Sequence, residues 1–266
     1  MGQFSDYTEN KVLDHVLLTS AFTAPTNLYL ALCTADPTDA GTGSTIVEPS
    51  GLGYARVSCN SSFSAAAARA ITNDVAIQFP EASGAWGALT HWALCDASTA
   101  GNMLAYGALT TPRSPKSGDD PVVSIGELDI SYDANGSSTY LANAMLDHIC
   151  KVAAYTQPLS LYVGLANSAI TDATTGDTID EPAAGAYARL KHEAYDAASG
   201  GASENTGTIE FVQATASWAT IGWWAILDSL TTAANVLHHA ALNTAVVIGT
   251  SDDPTFSAGA MDITVD

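Results

Sequence analysis

Basic side chains are scarce in this chain. Lys and Arg together number eight among 266 residues, against 28 Asp and Glu, for a formal net charge of −20. A surface that grips nucleic-acid phosphates needs clustered Lys and Arg, so nucleic-acid partners are excluded. Attraction to anionic lipid headgroups is excluded on the same ground. No apolar run reaches the roughly 18 residues of a transmembrane helix. The opening "MGQFSDYTENK" lacks the basic region and apolar core of a secretory signal. Met1-Gly2 begins like a myristoylation site, but Asp6 stands where that motif requires Ser or Thr. Charge of either sign is thin, at 14% of residues, where soluble domains carry about a quarter. Low charge and many small and hydroxyl side chains suit a β-rich protein that lives against other proteins.

What is abundant is internal repetition. "GYARV" at 53–57 returns as "AYARL" at 186–190, which places Tyr54 and Tyr187 133 residues apart. The same offset carries "LDH" at 13–15 onto "LDH" at 146–148, and "EP" at 48–49 onto "EP" at 181–182. It carries "DDP" at 119–121 onto "DDP" at 252–254, and Asp133 onto Asp266. Between these anchors the register slips by one residue: Asn73, Phe79, Trp86 and Asp96 match Asn205, Phe211, Trp218 and Asp228. The chain is therefore a tandem duplication of a unit of about 130 residues, the size of one domain rather than of a solenoid repeat. The turn-forming "DANGSS" at 133–138 marks the junction. The expected domains are 1–134 and 137–266.

Each unit opens on a helical pattern. Asp6 with Glu9 has capping-box spacing, and Leu13, Val16 and Leu17 follow on one face. The second unit repeats the pattern through Leu141, Met145 and Ile149. Short β-favouring runs follow, among them "NLYLALCT", "WGALTHWALCDA" and "NMLAYGALTT" with their counterparts, separated by turn residues. The expected fold is mainly β: two tandem sandwich-like domains, each preceded by one helix. Trp86 and Trp218 are assigned to the core.

Duplication also tests for chemistry, because a shared site must appear twice. Arg56 and Arg189 recur in a chain poor in Arg, as do Glu48 and Glu181. A structural Arg–carboxylate pairing is expected, with Glu48 and Glu181 or Asp129 and Asp262 as partners. The cysteines Cys33, Cys59, Cys95 and Cys150 share no position between the units, so the fold requires no disulfide, and their spacing fits no zinc pattern. They are expected as buried thiols, with cross-linking within or between subunits as the alternative. His91 near Asp96 resembles a general-base pair, but the second unit has Trp223 at the His91 position. His15 and His148 are shared, each beside an Asp on the helix, and are expected at a surface or interface. His238 and His239 have no counterparts and read as incidental. Asp172, Asp177, Asp180 and Glu181 offer hard oxygens to calcium, at spacings that fit no EF-hand. No phosphate loop, nucleophile elbow or HExxH is present. No catalytic, cofactor or metal site is expected, and the chain is not expected to be an enzyme.

The strings "ENKVLDHVL", "AFTAPTNLYLALCTADPTDAGTG", "GYARV", "FPEASGAWGALTHWALCDA" and "AGNMLAYGALTT" resemble a family of tailed-bacteriophage virion proteins described as tail-fibre-like or minor tail proteins. The likeness covers nearly all of the first unit, and the other unit resembles a diverged copy of it. It implies an assembled, non-catalytic structural protein without cofactor. Such a protein is made in the host cytoplasm and carried on the virion exterior, where an acidic chain is not opposed to packaged DNA. The implied partners are other virion proteins (major capsid, neck or tail) and further copies of the chain. The leading expectation is a decoration, cement or collar protein on capsid or neck. The alternative is a tail-fibre or minor tail protein at the host surface, with Trp92, Trp223 and Trp224 as candidates for stacking on sugars.

Overall fold

The computed structural model describes residues 2–132 and 136–265, so the junction residues 133–135 lie outside the description. The first repeat runs β1 (Gln3–Phe4), α1 (Asp6–Val16), β2 (Tyr29–Cys33), β3 (Val57–Ser58), β4 (Ala70–Thr72), β5 (Ile77–Gln78), β6 (Leu89–Cys95), β7 (Met103–Arg113), β8 (Val122–Val123) and β9 (Asp129–Ser131). The second runs α2 (Thr139–Ile149), β10 (Tyr162–Ala166), β11 (Leu190–Lys191), β12 (Ala202–Glu204), β13 (Ile209–Glu210), β14 (Ala219–Leu227), β15 (Val236–Ile248), β16 (Thr255–Phe256) and β17 (Asp262–Thr264).

The architecture is mainly β and sandwich-like, with one helix per repeat. In the first repeat the principal sheet has the order β1-β7-β6-β2-β3, faced by the two-stranded ribbons β4–β9 and β5–β8. The second repeat matches this with β11-β10-β14-β15 and the ribbons β12–β17 and β13–β16. An isolated bridge between Ser137 and His238 stands where β1 pairs with β7. The long hairpins share an irregularity: His91 faces Ala108 while Leu89 faces Arg113, and Trp223 faces Ala241 while Ile221 faces Val246. Such bulges bend and twist the hairpin.

Both helices bury an apolar face made by Val12, Leu13 and Val16 in α1 and by Leu141, Met145 and Leu146 in α2. The cap of α1 differs from expectation. Ser5, not Asp6, is its N-cap, and the Ser5 hydroxyl donates to Met103 O (2.5 Å), tying the helix start to β7. In α2, Ser138 caps in the usual way, its oxygen accepting from Leu141 N. Trp86 and Trp218 are buried core residues, each in an edge-on contact with the Tyr of its "YAR" at 5.2 Å. Each indole N–H also donates to a loop carbonyl, of Leu52 or of Gly185. One buried cluster runs through both repeats, joining Leu13 and Leu17 to Met145, Leu146 and Ile149. The two halves thus share a core.

Candidate functional site: two arginine clamps and a two-fold seam

The "YAR" stretches end in buried guanidinium clamps. Arg56 Nε donates to both carboxylate oxygens of Glu48 (3.1 and 3.0 Å), and Nη2 donates to Oε2 at 2.7 Å. Its remaining donors go to backbone carbonyls of Gly43, Ala97 and Ala100. Arg189 does the same with Glu181 and with Gly176, Ser229 and Thr231. The Tyr hydroxyl completes each set, Tyr54 donating to Glu48 at 2.6 Å and Tyr187 to Glu181 at 2.7 Å. Each guanidinium therefore closes the acidic loop onto the turn of the long hairpin. Lys, with a single ammonium, cannot reach three loop segments in one plane. The Arg56 side chain is 3% exposed. Burial works against its charge, but the hydrogen bonds and attraction of Glu48 outweigh it and raise the pKa. Asp129 and Asp262 lie elsewhere, on the outer ribbons β9 and β17.

The second shared feature is the contact between the repeats. Asp14 Oδ1 accepts from Ala198 N of the second repeat at 2.9 Å, and Asp147 Oδ1 accepts from Ala66 N of the first at 2.7 Å. One turn earlier, Asn10 Oδ1 accepts from Gly201 N and Asn143 Oδ1 from Arg69 N. Residues four apart share a helix face, so each helix lays an Asn-Asp pair on the other repeat. The shared histidines meet on the same axis. His15 and His148 stack at 5.3 Å with 27° between planes. Each accepts at Nδ1 from a backbone N–H of its own repeat, Phe22 for His15 and Tyr155 for His148. At Nε2 each pairs with the carbonyl of the other repeat's residue, His15 with Tyr155 O and His148 with Phe22 O. The contact is isologous, the geometry of a symmetric dimer, enclosed in a single chain.

The seam is not perfectly symmetric. Arg69 reaches across it, donating to Asp172 Oδ2 (2.6 Å) and to Ser137 O (2.7 Å). Its counterpart is Gly201, and both residues have positive φ, +67° and +68°. Arg tolerates that conformation only at a cost, which the bonds to the second repeat offset. His239 adds a contact to Asp172 at 3.2 Å. His238, fully enclosed, meets Ser137 Oγ at 3.0 Å, and burial lowers its pKa to about 3. Both histidines thus sit within the second repeat, behind Ser137 and Asp172, the two residues to which Arg69 reaches across the seam.

Other expected residues lie apart. His91 meets Thr90 Oγ1 at 2.9 Å and approaches Asp36, not Asp96. Asp96 instead accepts from Asn102 across the hairpin turn, as Asp228 does from Asn235. The acidic set of the second repeat is dispersed. Asp172 serves Arg69, Asp180 accepts from Ser168, and Glu181 serves Arg189. The carboxylates that gather among the described residues are Asp6, Glu9 and Asp39, within 4.8 Å of one another. All four cysteines are buried and unpaired. Burial pushes the thiols of Cys33, Cys59 and Cys95 up to about 12 and that of Cys150 well above its ordinary value. Trp92 and Trp224 are buried, which corrects their assignment as exposed stacking residues; Trp223 is half-buried. No helix among the described residues is long and apolar enough to cross a membrane.

A duplicated β fold whose shared polar residues are spent on loop clamps and on an internal two-fold seam defines a structural repeat protein. The chain belongs to the family described as podophage GP4 fiber I protein gp80, whose model matches it twice, over residues 3–131 and again over 136–264. Among curated proteins no sequence matches it.

Proposed function

We propose that this chain is a non-catalytic structural component of a podophage fibre. It sits on the virion exterior, is bound to other virion proteins, and contributes to attachment at the host surface. The observation that carries this reading is the match of both repeats to a fibre-protein family. The geometry supports it: the twice-kept residues tie loops to a rigid hairpin and one repeat to the other, which is what a load-carrying module requires. The family favours the fibre over a decoration, cement or collar role on capsid or neck.

Mass spectrometry of purified particles, with the chain quantified against the major capsid protein, tests this. A handful of copies per particle, lost when tails are sheared away, is the expected result. Copy numbers that match the shell would return the decoration reading.

A further inference from the structure

We propose that the stacked His15–His148 pair is an acid-operated latch between the two repeats. Both imidazoles are held in one tautomer. Nδ1 accepts from an amide that can only donate (Phe22 N at 2.9 Å, Tyr155 N at 3.0 Å), so the single proton resides on Nε2. That Nε2–H donates across the seam, from His15 to Tyr155 O at 3.2 Å and from His148 to Phe22 O at 3.0 Å. A second proton has only Nδ1 to occupy. There it places N–H against N–H, which destroys the bond that orients the ring. It also sets a cation against a partner ring 5.3 Å away.

Among the described residues no charge around the pair is turned to offset this. On α1, Asp14 is held by Ala198 N and by the Thr19 hydroxyl, and Lys11 lies out over the Tyr7 ring. On α2, Asp147 is held by Ala66 N, and Lys151, just beyond the helix end, donates to Thr26 O and Asn60. The segments that close over the rings contribute Phe22 and the half-buried Tyr155, whose ring meets that of Tyr140. Burial holds both imidazoles below the usual 6.5, and the neighbouring His15 lowers His148 further. The neutral pair therefore closes the seam at neutral pH, and acid opens it before the β core.

The test uses the full chain. Amide exchange, corrected for intrinsic rates, is followed from pH 7.5 to pH 5.0, together with imidazole nitrogen resonances. The expected result is Nε2-protonated tautomers for both histidines at pH 7.5. Protection at Phe22, Tyr155, Ala66 and Ala198 then falls at least tenfold by pH 5.0, while β2 and β10 stay protected. The double variant His15→Gln, His148→Gln is expected to show a looser seam at both pH values, with the pH response gone. Unchanged protection in the natural chain overturns the proposal. So does simultaneous opening of seam and core strands, or the same pH response in the variant. Should the variant not fold, the exchange pattern and tautomers of the natural chain decide alone.

Discussion

Asp14 and Asp147 occupy the same helix position in their repeats, and each accepts a backbone N–H from the other repeat, at 2.9 Å from Ala198 and 2.7 Å from Ala66. This reciprocal exchange makes the chain a dimer folded into one polypeptide. Removing either acceptor strands a partly buried amide in the opposite repeat. Asp14→Ala and Asp147→Ala are each expected to cost about 1–3 kcal/mol. Urea unfolding measures this, and Asp14→Ala should cost the more of the two, because Asp14 Oδ1 also accepts from the Thr19 hydroxyl at 2.6 Å.

The clamps should be less forgiving. Glu48→Ala leaves the Arg56 guanidinium charged and enclosed, at an expected cost of roughly 3–5 kcal/mol. Glu181→Ala should behave alike through Arg189, whose side chain is 4% exposed. Arg56→Lys is itself expected to destabilise the chain, since Lys cannot span Glu48 and the carbonyls of Gly43, Ala97 and Ala100. Thermal unfolding of these clamp variants checks the order.

Acid should weaken the whole chain. His15, His148, His192, His238 and His239 all have pKa values lowered by burial. Their unfolded forms bind protons first as pH falls below about 6.5. The stability they contribute is complete above that value and is lost on descending toward the folded pKa values. Unfolding free energy is therefore expected to drop between pH 7 and pH 5, a range in which most carboxylates are still ionised. A flat profile there would contradict the burial of these rings.

Thiol chemistry should be silent until the chain unfolds. Cys33, Cys59, Cys95 and Cys150 are buried with their pKa values raised, so the reactive thiolate is suppressed. A thiol reagent is expected to label none of them rapidly in the folded protein and all four in denaturant. Non-reducing electrophoresis should show a single monomer band.

Duplication makes much of this legible. A pair kept twice in an Arg-poor chain points to Arg56 with Glu48, and the repeated β runs point to the sandwich-like halves. The docking of the halves is not legible, because periodicity reports which helix face is apolar but not what covers the other faces. Asp14 and His15 are neighbours that point in different directions, yet the second repeat meets both. Arg69 is matched by Gly201, so duplication cannot single it out, although the symmetry-breaking contacts of the seam run through it. Ser5 is hidden as a cap because Asp6 and Glu9 give the familiar spacing one position later.

The most direct test of the account is where the chain sits on the particle. Electron cryo-microscopy of virions carrying a gold-binding tag on this protein would locate it. The account predicts label confined to the fibres at the tail, with each chain resolved as a two-fold pair of β modules. Label spread over the capsid shell, or modules separated without the α1–α2 seam, would contradict it.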